Sequence, residues 1–193
     1  MRSKTENINR GISLIELLVV VFIIALMSTI VFVGYQGGRE RLALERSTHM
    51  LAQDIRHAQE LAMRAEDFRG SASWGGFGIH LVGATTSYVL FADCDQDRFF
   101  TAITGAALSC ATATTANRFN QSEELERRLL EEGVRIVSVL PNPSTIVFIP
   151  PDPAIRINNG AVTSTTITLE VIVGGLPVTT IIDVNQAGLI SIR

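Results

Sequence analysis

The stretch RGISLIELLVVVFIIALMSTIVFV, from Arg10 to Val33, decides the fold of this chain. Glu16 is the only charged residue in the apolar run of 22 residues from Ile12 to Val33, and it follows Gly11 by five positions. At about 1.5 Å per residue, a helix of this length matches a hydrocarbon core of roughly 30 Å. Burying a carboxylate in such a run costs about 2.5–3.5 kcal/mol, so Glu16 requires a specific partner.

Two ordinary export signals are alternative interpretations of this end. A secretory signal has a shorter apolar core and a small-residue cleavage site after it, whereas this core is long and is followed by residues 34–38 (GYQGG). A plain signal anchor explains the length and the basic flank of Arg2, Lys4 and Arg10, which the positive-inside rule keeps in the cytoplasm. An anchor does not explain Glu16.

The segment from Arg10 to Val20 resembles the processing site of type IV prepilins and type II secretion pseudopilins. The resemblance implies that prepilin peptidase, a membrane aspartyl protease, cuts between Gly11 and Ile12 and methylates the new amine of Ile12. Glycine suits this position because it has no Cβ and leaves the backbone open to a protease. The family usually has Phe where this chain has Ile12. The resemblance also implies that Glu16 pairs with the terminal ammonium of a neighbouring subunit and sets the axial register.

Composition limits what the remainder of the chain does. With one membrane helix removed from the 193 residues, about 155 are left, which is the size of one ordinary domain. From Arg39 to Arg193 there are 13 arginines and 17 acidic residues, a net charge of −4. This balance argues against general binding to polyanions.

The chain has two cysteines, Cys94 and Cys110. The orientation rule places both outside the cytoplasm, where a disulfide is chemically permitted. Closing a loop of about 15 residues contributes roughly 3 kcal/mol in the chain-entropy model. We therefore predict a disulfide between Cys94 and Cys110, with two separately buried thiols as the alternative.

The pattern after the glycine-rich residues 34–38 predicts an amphipathic helix that runs to about Ala65. The glycines themselves suggest a bend or local melting before it. Side chains at three- and four-residue steps form one face that we expect to cover a sheet: Leu44, Thr48, Leu51, Ile55, Ala58 and Ala62.

Beyond Gly70 the pattern changes to short runs rich in Val, Ile, Thr and Phe, separated by Gly, Pro, Asn or Asp. Gly174-Gly175 and residues 185–188 are expected to be turns, Glu123–Glu132 a short helix, and residues 101–120 an irregular loop. The sequence thus predicts an α+β, pilin-like fold, with a long N-terminal helix packed on antiparallel sheet. The predicted strands are Phe77–Val82, Ser87–Ala92, Val134–Val139, Thr145–Ile149, Thr165–Val173, Val178–Val184 and Leu189–Ile192.

Several of these elements together resemble the H-type pseudopilins and the T-type or U-type minor pilins, the GspH/FimT group. They are the helix Leu44–Ala65, the strands around residues 78–80 and 88–91, the acidic turn 93–97 and the C-terminal residues 185–193. The resemblance implies a low-copy structural subunit that primes or caps a type II secretion pseudopilus or a type IV pilus. Its partners would be prepilin peptidase and other pilins or pseudopilins.

The same resemblance implies how the chain is divided and where it resides. Residues 1–11 would be the prepilin leader peptide, 12–33 the transmembrane and assembly helix, 34–69 the amphipathic half of the helix, and 70–193 an exported β-rich domain. The protein would cross the inner membrane once, and after assembly it would reach a periplasmic pseudopilus or a pilus tip at the cell surface.

No catalytic group, cofactor or metal site is predicted. Asp93, Asp95 and Asp97 mimic the opening of a calcium loop, but Arg98 stands where that loop needs Gly and Thr104 where it needs Glu. An acidic turn is favoured, with a bound cation as the alternative. The three histidines, His49, His57 and His80, lack metal-ligand spacing. An anchored enzyme or adhesin remains as a further function class.

DNA binding is the second function class. Some members of the resembled group bind DNA through a Gly-Arg-x-Arg tail, whereas residues 188–193 here read GLISIR. Only Arg193 remains in this tail, and phosphate binding needs several cationic contacts. We therefore expect DNA to be an unlikely partner and residues 189–192 to form a last strand.

Overall fold

The computed structural model describes residues 13–65, 67–68, 71–72, 75–94, 96–101, 123–150 and 154–193, with the backbone alone at 30–36, 67–68 and 71–72. Gly11, Ile12, Asp95 and Cys110 lie outside the described residues. The chain divides into two compact units, Met1–Arg39 and Glu40–Arg193.

Helix α1 runs from Leu14 to Met63. Its backbone stays helical through Gly34, Gly37 and Gly38, so the local melting that the glycines suggested does not occur. The last turn closes through the Arg64 N–H, which donates to the Glu60 carbonyl at 3.0 Å. Ala65 then adopts a left-handed φ of 49°, a conformation that cannot continue a right-handed helix.

Eleven strands form three antiparallel sheets in the described part of the chain. A two-stranded ribbon contains β1 and β2, a five-stranded sheet has the order β5-β4-β3-β7-β8, and a four-stranded sheet has the order β11-β10-β9-β6. The strands are β1 (Asp67–Phe68), β2 (Ser71–Ala72), β3 (Gly76–Leu81), β4 (Ser87–Asp93), β5 (Glu124–Leu129), β6 (Arg135–Leu140), β7 (Ser144–Ile149), β8 (Ala154–Ile157), β9 (Ser164–Val173), β10 (Leu176–Asn185) and β11 (Ile190–Ile192).

All seven predicted strands are present, within a few residues of their expected ends. Both predicted turns are present as well. Gly174 and Gly175 connect β9 to β10 with φ values of 58° and 84°, as a two-residue type I′ hairpin requires. The turn from β10 to β11 is held by the Asn185 side chain, whose Oδ1 accepts from the N–H groups of Ala187 and Leu189.

The short helix predicted for Glu123–Glu132 is wrong. Residues Glu124–Leu129 form β5, an edge strand that pairs with β4. The Glu, Leu and Arg residues of this segment favour a helix locally, but ladder hydrogen bonds to β4 override that weak preference. Strand β8 and the ribbon of β1 and β2 were not predicted either.

The second half of α1 lies in one continuous hydrophobic core with both large sheets. The six side chains predicted to form its buried face are all buried: Leu44, Thr48, Leu51, Ile55, Ala58 and Ala62. The Thr48 hydroxyl donates to the Leu44 carbonyl at 2.7 Å, which satisfies the polar group within the core. The prediction of an α+β fold with a helix on antiparallel sheet is thus confirmed.

A buried polar contact fixes this helix against the five-stranded sheet. Asp54 is 8% exposed and Tyr88, on β4, is 1% exposed. The Tyr88 hydroxyl donates to Asp54 Oδ2 at 2.6 Å, and Arg128 Nε on β5 lies 3.4 Å from the same oxygen. Burial, together with the hydrogen bond to Asp54, raises the pKa of Tyr88 well above its ordinary value. The hydroxyl therefore stays a donor at physiological pH.

We predict that Tyr88→Phe lowers the free energy of unfolding by about 1–3 kcal/mol, because Asp54 loses its closest donor while it stays buried. Denaturant unfolding of the full chain in detergent measures the change. Ser138→Ala, which removes a longer contact of 3.4 Å to Thr168, is the matched control. Its effect should stay within about 0.5 kcal/mol. Equal stability of Tyr88→Phe and the wild type would contradict a role for this contact.

Candidate functional site

The first turn of α1 is organised around Ser13. The Ser13 carbonyl accepts from the N–H groups of Glu16 and Leu17 at 3.1 and 3.2 Å, and its hydroxyl oxygen accepts from the Glu16 N–H at 3.3 Å. Ser13 is therefore the N-cap, and the helix begins at Leu14. A carboxylate in the first turn is also favoured by the partial positive charge of the helix N-terminus. Glu16 holds that position, and its side chain is exposed.

Every side chain from Ser13 to Thr29 is exposed, although most of them are apolar. Among the large ones, exposure ranges from 48% at Val19 to 83% at Leu14. Full burial of one such side chain contributes about 1.5–3 kcal/mol. An apolar surface around the whole helix is typical of a segment that a non-aqueous environment or another protein covers.

Among the described residues, no helix has both the length and the hydropathy that crossing a membrane requires.

The hydroxyl groups of Ser28 and Thr29 find their hydrogen-bond acceptors within this helix segment. The hydroxyls of Ser28 and Thr29 donate to the carbonyls of Ile24 and Ala25, four residues earlier, at 2.8 and 2.9 Å. Their hydrogen bonding thus needs no water. Glu16 differs, since a carboxylate has no hydrogen to donate to the helix carbonyls. The helix carbonyls thus give Glu16 no partner of the kind that Ser28 and Thr29 have.

The acidic turn after β4 is organised by buried Asp93. Its carboxylate oxygens accept from the N–H groups of Gln96 and Arg98 at 2.7 and 3.1 Å. Asp97 Oδ1 accepts from the Phe99 N–H at 2.7 Å. These two carboxylates support the backbone of the turn, whereas Asp95, the third carboxylate of the predicted acidic turn, lies outside the described residues. The described residues contain no group of three or more His, Cys, Asp or Glu side chains placed to hold a metal ion.

Glu123 is a structural residue that the sequence did not reveal. It is 2% exposed, and its two carboxylate oxygens accept from the N–H groups of Cys94 and Thr101 at 3.0 and 2.9 Å. Glu123 thereby joins the start of β5 to both ends of the described loop that follows β4. Its position next to a glutamate-rich segment did not predict burial, because such segments are ordinarily solvated.

Cys94 is half-buried, and the described part of the chain contains no free cysteine. Since Cys110 lies outside that part, the bond between the two stays a prediction.

The three histidines are separated in the described structure. His49 and His57 are exposed on α1, whereas His80 on β3 is half-buried on the face of the five-stranded sheet opposite the helix. His80 Nδ1 lies 2.9 Å from Thr145 Oγ1, and its ring lies 5.2 Å from that of Phe100. Burial and then the positive charge of Arg127 lower the pKa of His80 from its ordinary value.

The C-terminal tail forms the expected last strand, since β11 pairs with β10. Arg193 Nη2 lies 3.0 Å from Asp183 Oδ2. The one tail arginine that could contact a phosphate is therefore already paired with a carboxylate. This geometry gives the DNA-binding alternative no support.

The comparisons with known proteins bear on the N-terminal segment. Residues 7–32 match the family model described as the prokaryotic N-terminal methylation motif. The search of curated proteins and the search of solved structures found no match. The motif supports a type IV pilin- or pseudopilin-like class, and it implies processing by prepilin peptidase and assembly with other pilins. It also points to a structural subunit rather than an enzyme.

We predict that the protein loses stability as the pH falls from about 7 to 5, partly through His80. Its pKa in the folded state lies below the unfolded value of 6.5, so the unfolded chain binds the proton first and is favoured as pH falls. Denaturant unfolding of His80→Gln at several pH values should show a shallower loss than the wild type. The same change at exposed His57 is the control for loss of an imidazole. An unaltered pH dependence in His80→Gln would refute this assignment.

Proposed function

We propose that this protein is a minor pilin or pseudopilin, a low-copy structural subunit that primes or caps a type II secretion pseudopilus or a type IV pilus. The observation that carries the proposal is the exposed apolar helix from Leu14 to Met27, which bears one carboxylate and lies within the matched methylation motif. The resemblance to the H-type pseudopilins and the T-type or U-type minor pilins supplies the narrower assignment.

In this proposal, residues 1–11 form a leader that prepilin peptidase removes after Gly11. Ile12 becomes the first residue of the mature protein and carries the methylated amine. Residues 12–33 hold the protein in the inner membrane as a single pass until assembly, residues 34–69 form the amphipathic half of the helix, and residues 70–193 form the exported domain. The all-round apolar surface of Leu14–Met27 supports this, since both lipid and neighbouring helices would cover it.

Glu16 then has a defined partner. A carboxylate in a low-dielectric environment is stable only beside a compensating charge, and the mature N-terminus of a neighbouring subunit supplies an ammonium. Because Glu16 lies in the first turn, its partner must approach the start of the helix. The pair would thus fix the axial position of one subunit against the next.

DNA capture and catalysis receive less support. The tail arginine Arg193 is paired with Asp183, and the part of the chain from Arg39 onward has a net charge of −4. The acidic carboxylates of Asp93 and Glu123 accept backbone N–H groups instead of facing a substrate. A structural role accounts for these contacts without a further ligand.

We predict that replacing Gly11 with a bulky residue, as in Gly11→Phe, blocks cleavage and leaves the precursor in the membrane, because a side chain obstructs access to the backbone. Intact-mass measurement of the protein recovered from its host decides the outcome. Wild-type protein should begin at Ile12 and carry one added methyl group. A mature wild-type chain that begins at Met1, or at any residue other than Ile12, would refute the assignment to pilins.

We also predict that Glu16→Ala leaves membrane insertion intact or improved but reduces incorporation into filaments. The change removes a costly buried charge and at the same time the partner of a neighbouring ammonium. Membrane fractions and sheared filaments are compared by immunoblot. Glu60→Ala, which removes an exposed carboxylate elsewhere on α1, is the matched control and should incorporate normally. Normal incorporation of Glu16→Ala would rule out the charge pair.

A further inference from the structure

Asn159 and Gly160 lie in the turn that connects β8 to β9. Three consecutive residues of this turn have positive φ values, 48° at Asn158, 58° at Asn159 and 84° at Gly160. Asparagine and glycine are the residues that adopt this left-handed conformation most readily. Asn159 and Gly160 are both exposed, so water reaches them. The turn therefore presents an Asn-Gly pair, a chemically reactive sequence, to solvent.

The side chain of Asn159 is held by an arginine from another loop. Arg98 Nη1 donates to Asn159 Oδ1 at 2.7 Å. Arg98 belongs to the acidic turn after β4, and its own N–H donates to Asp93 Oδ2 at 3.1 Å. Asp93 is fully buried. The amide of Asn159 is thus tied, through Arg98, to a turn that a buried carboxylate organises.

An asparagine followed by glycine is open to deamidation, because the next residue has no side chain to shield its backbone nitrogen. In this reaction the N of Gly160 forms a bond to Cγ of Asn159 and loses its hydrogen as a proton. The bond from Cγ to the side-chain nitrogen breaks, and ammonia leaves with that proton. Water then opens the resulting succinimide ring at either carbonyl. The products are aspartate and isoaspartate, and the main chain of isoaspartate runs through the former side chain.

The folded geometry opposes this reaction. Ring closure requires Cβ of Asn159 and N of Gly160 to lie on the same side of the Cα–C bond, whereas a ψ of 26° at Asn159 places them on nearly opposite sides. The Ala161 N–H donates to the Asn158 carbonyl at 3.1 Å, which closes the turn around Asn159. This bond and the contact with Arg98 both resist the rotation. Attack therefore requires local opening of the turn, and its rate follows the population of the open state.

We propose that Asn159 is a site of spontaneous deamidation that its contact with Arg98 keeps closed in the folded protein. When the turn opens, the reaction needs only this chain and water, so it is independent of filament assembly. The isoaspartate product adds one carbon to the main chain between β8 and β9, beside the bridge of Ile157 with Val162. Isoaspartate at position 159 thus marks chains whose β8–β9 turn has opened.

The first test compares the folded wild-type chain in detergent with the same chain in guanidinium chloride, at one mildly alkaline pH and one temperature. Mass spectrometry of peptides measures aspartate and isoaspartate at position 159 over time. Deamidation should be at least tenfold faster in the denaturant, because the open state then predominates. Asn185 is the internal control, since the side chain of Gln186 shields the nitrogen that would attack it. In the denaturant, Asn185 should react much more slowly than Asn159.

Two outcomes of this comparison would overturn the proposal. Equal rates at Asn159 with and without denaturant would show that the folded turn does not protect the amide. A rate at Asn159 no higher than that at Asn185 in the denaturant would show that the Asn-Gly pair is not a deamidation site.

Arg98→Ala tests the contact itself. In this folded variant, deamidation at Asn159 should be at least threefold faster than in the folded wild type. Arg156→Ala is the matched control, because it removes an arginine beside Gly160 and leaves the contact of Arg98 with Asn159 in place. It should react like the wild type. A rate in Arg98→Ala equal to or below that of the wild type would refute the protective role of Arg98. Thermal unfolding shows whether each variant is folded, and if Arg98→Ala is not, the wild-type comparison decides.

Discussion

Burial of one face of α1 between two antiparallel sheets is the constraint on which the globular unit depends. Leu51, Ile55 and Ala58 are fully buried, and the core that contains them also contains side chains of both large sheets. Without the helix, the inner faces of the sheets would expose a row of Val, Ile and Leu side chains to water. Two short backbone contacts lie between the sheets in the described residues: the Ile136 N–H donates to the Thr85 carbonyl at 2.8 Å, and Ile157 of β8 forms an isolated bridge with Val162, just before β9. The helix and both sheets thus share one hydrophobic core.

Polar contacts fix the position and rotation of the helix against the sheets. Apolar packing alone is non-directional, so a helix could slide or rotate over a sheet of aliphatic side chains at modest cost. Asp54 prevents this because it is buried and its hydrogen-bond partner, Tyr88, projects from one position on β4. The Glu131 N–H, which donates to Ser47 Oγ at 3.1 Å, adds a second fixed point beyond the end of β5. Both contacts lie along the same helix face, so they specify one rotation of α1.

Much of the fold could be predicted from the sequence, because in most segments the spacing of the hydrophobic residues agrees with the positions of the turn-forming residues that bound the segment. The helix face from Leu44 to Ala62 followed from spacing, since a single buried face imposes a fixed period. The seven predicted strands followed from their β-branched and aromatic composition and from the turn residues between them. Strand β5 could not be predicted from the sequence. Its charged residues lie on an edge strand, and that strand forms because it pairs with β4. Asp54 was not recognised either, since an acidic residue on a helix is ordinarily solvated. The partner that makes it a core residue is 34 positions away in the sequence.

Glu16, the predicted assembly residue, was recognised in the sequence for a different reason. Glu16 stood out because one charge in a long apolar run contradicts its surroundings, and such a contradiction is visible without tertiary structure. Glu123 gave no comparable signal, since it lies beside a glutamate-rich segment and its role depends on the N–H groups of Cys94 and Thr101, which only the folded chain brings to it. A residue that violates a local rule is therefore easier to recognise in a sequence than one whose partners come from distant positions. Glu16 and Glu123 illustrate that difference, since both are acidic and only the first stands in an apolar run.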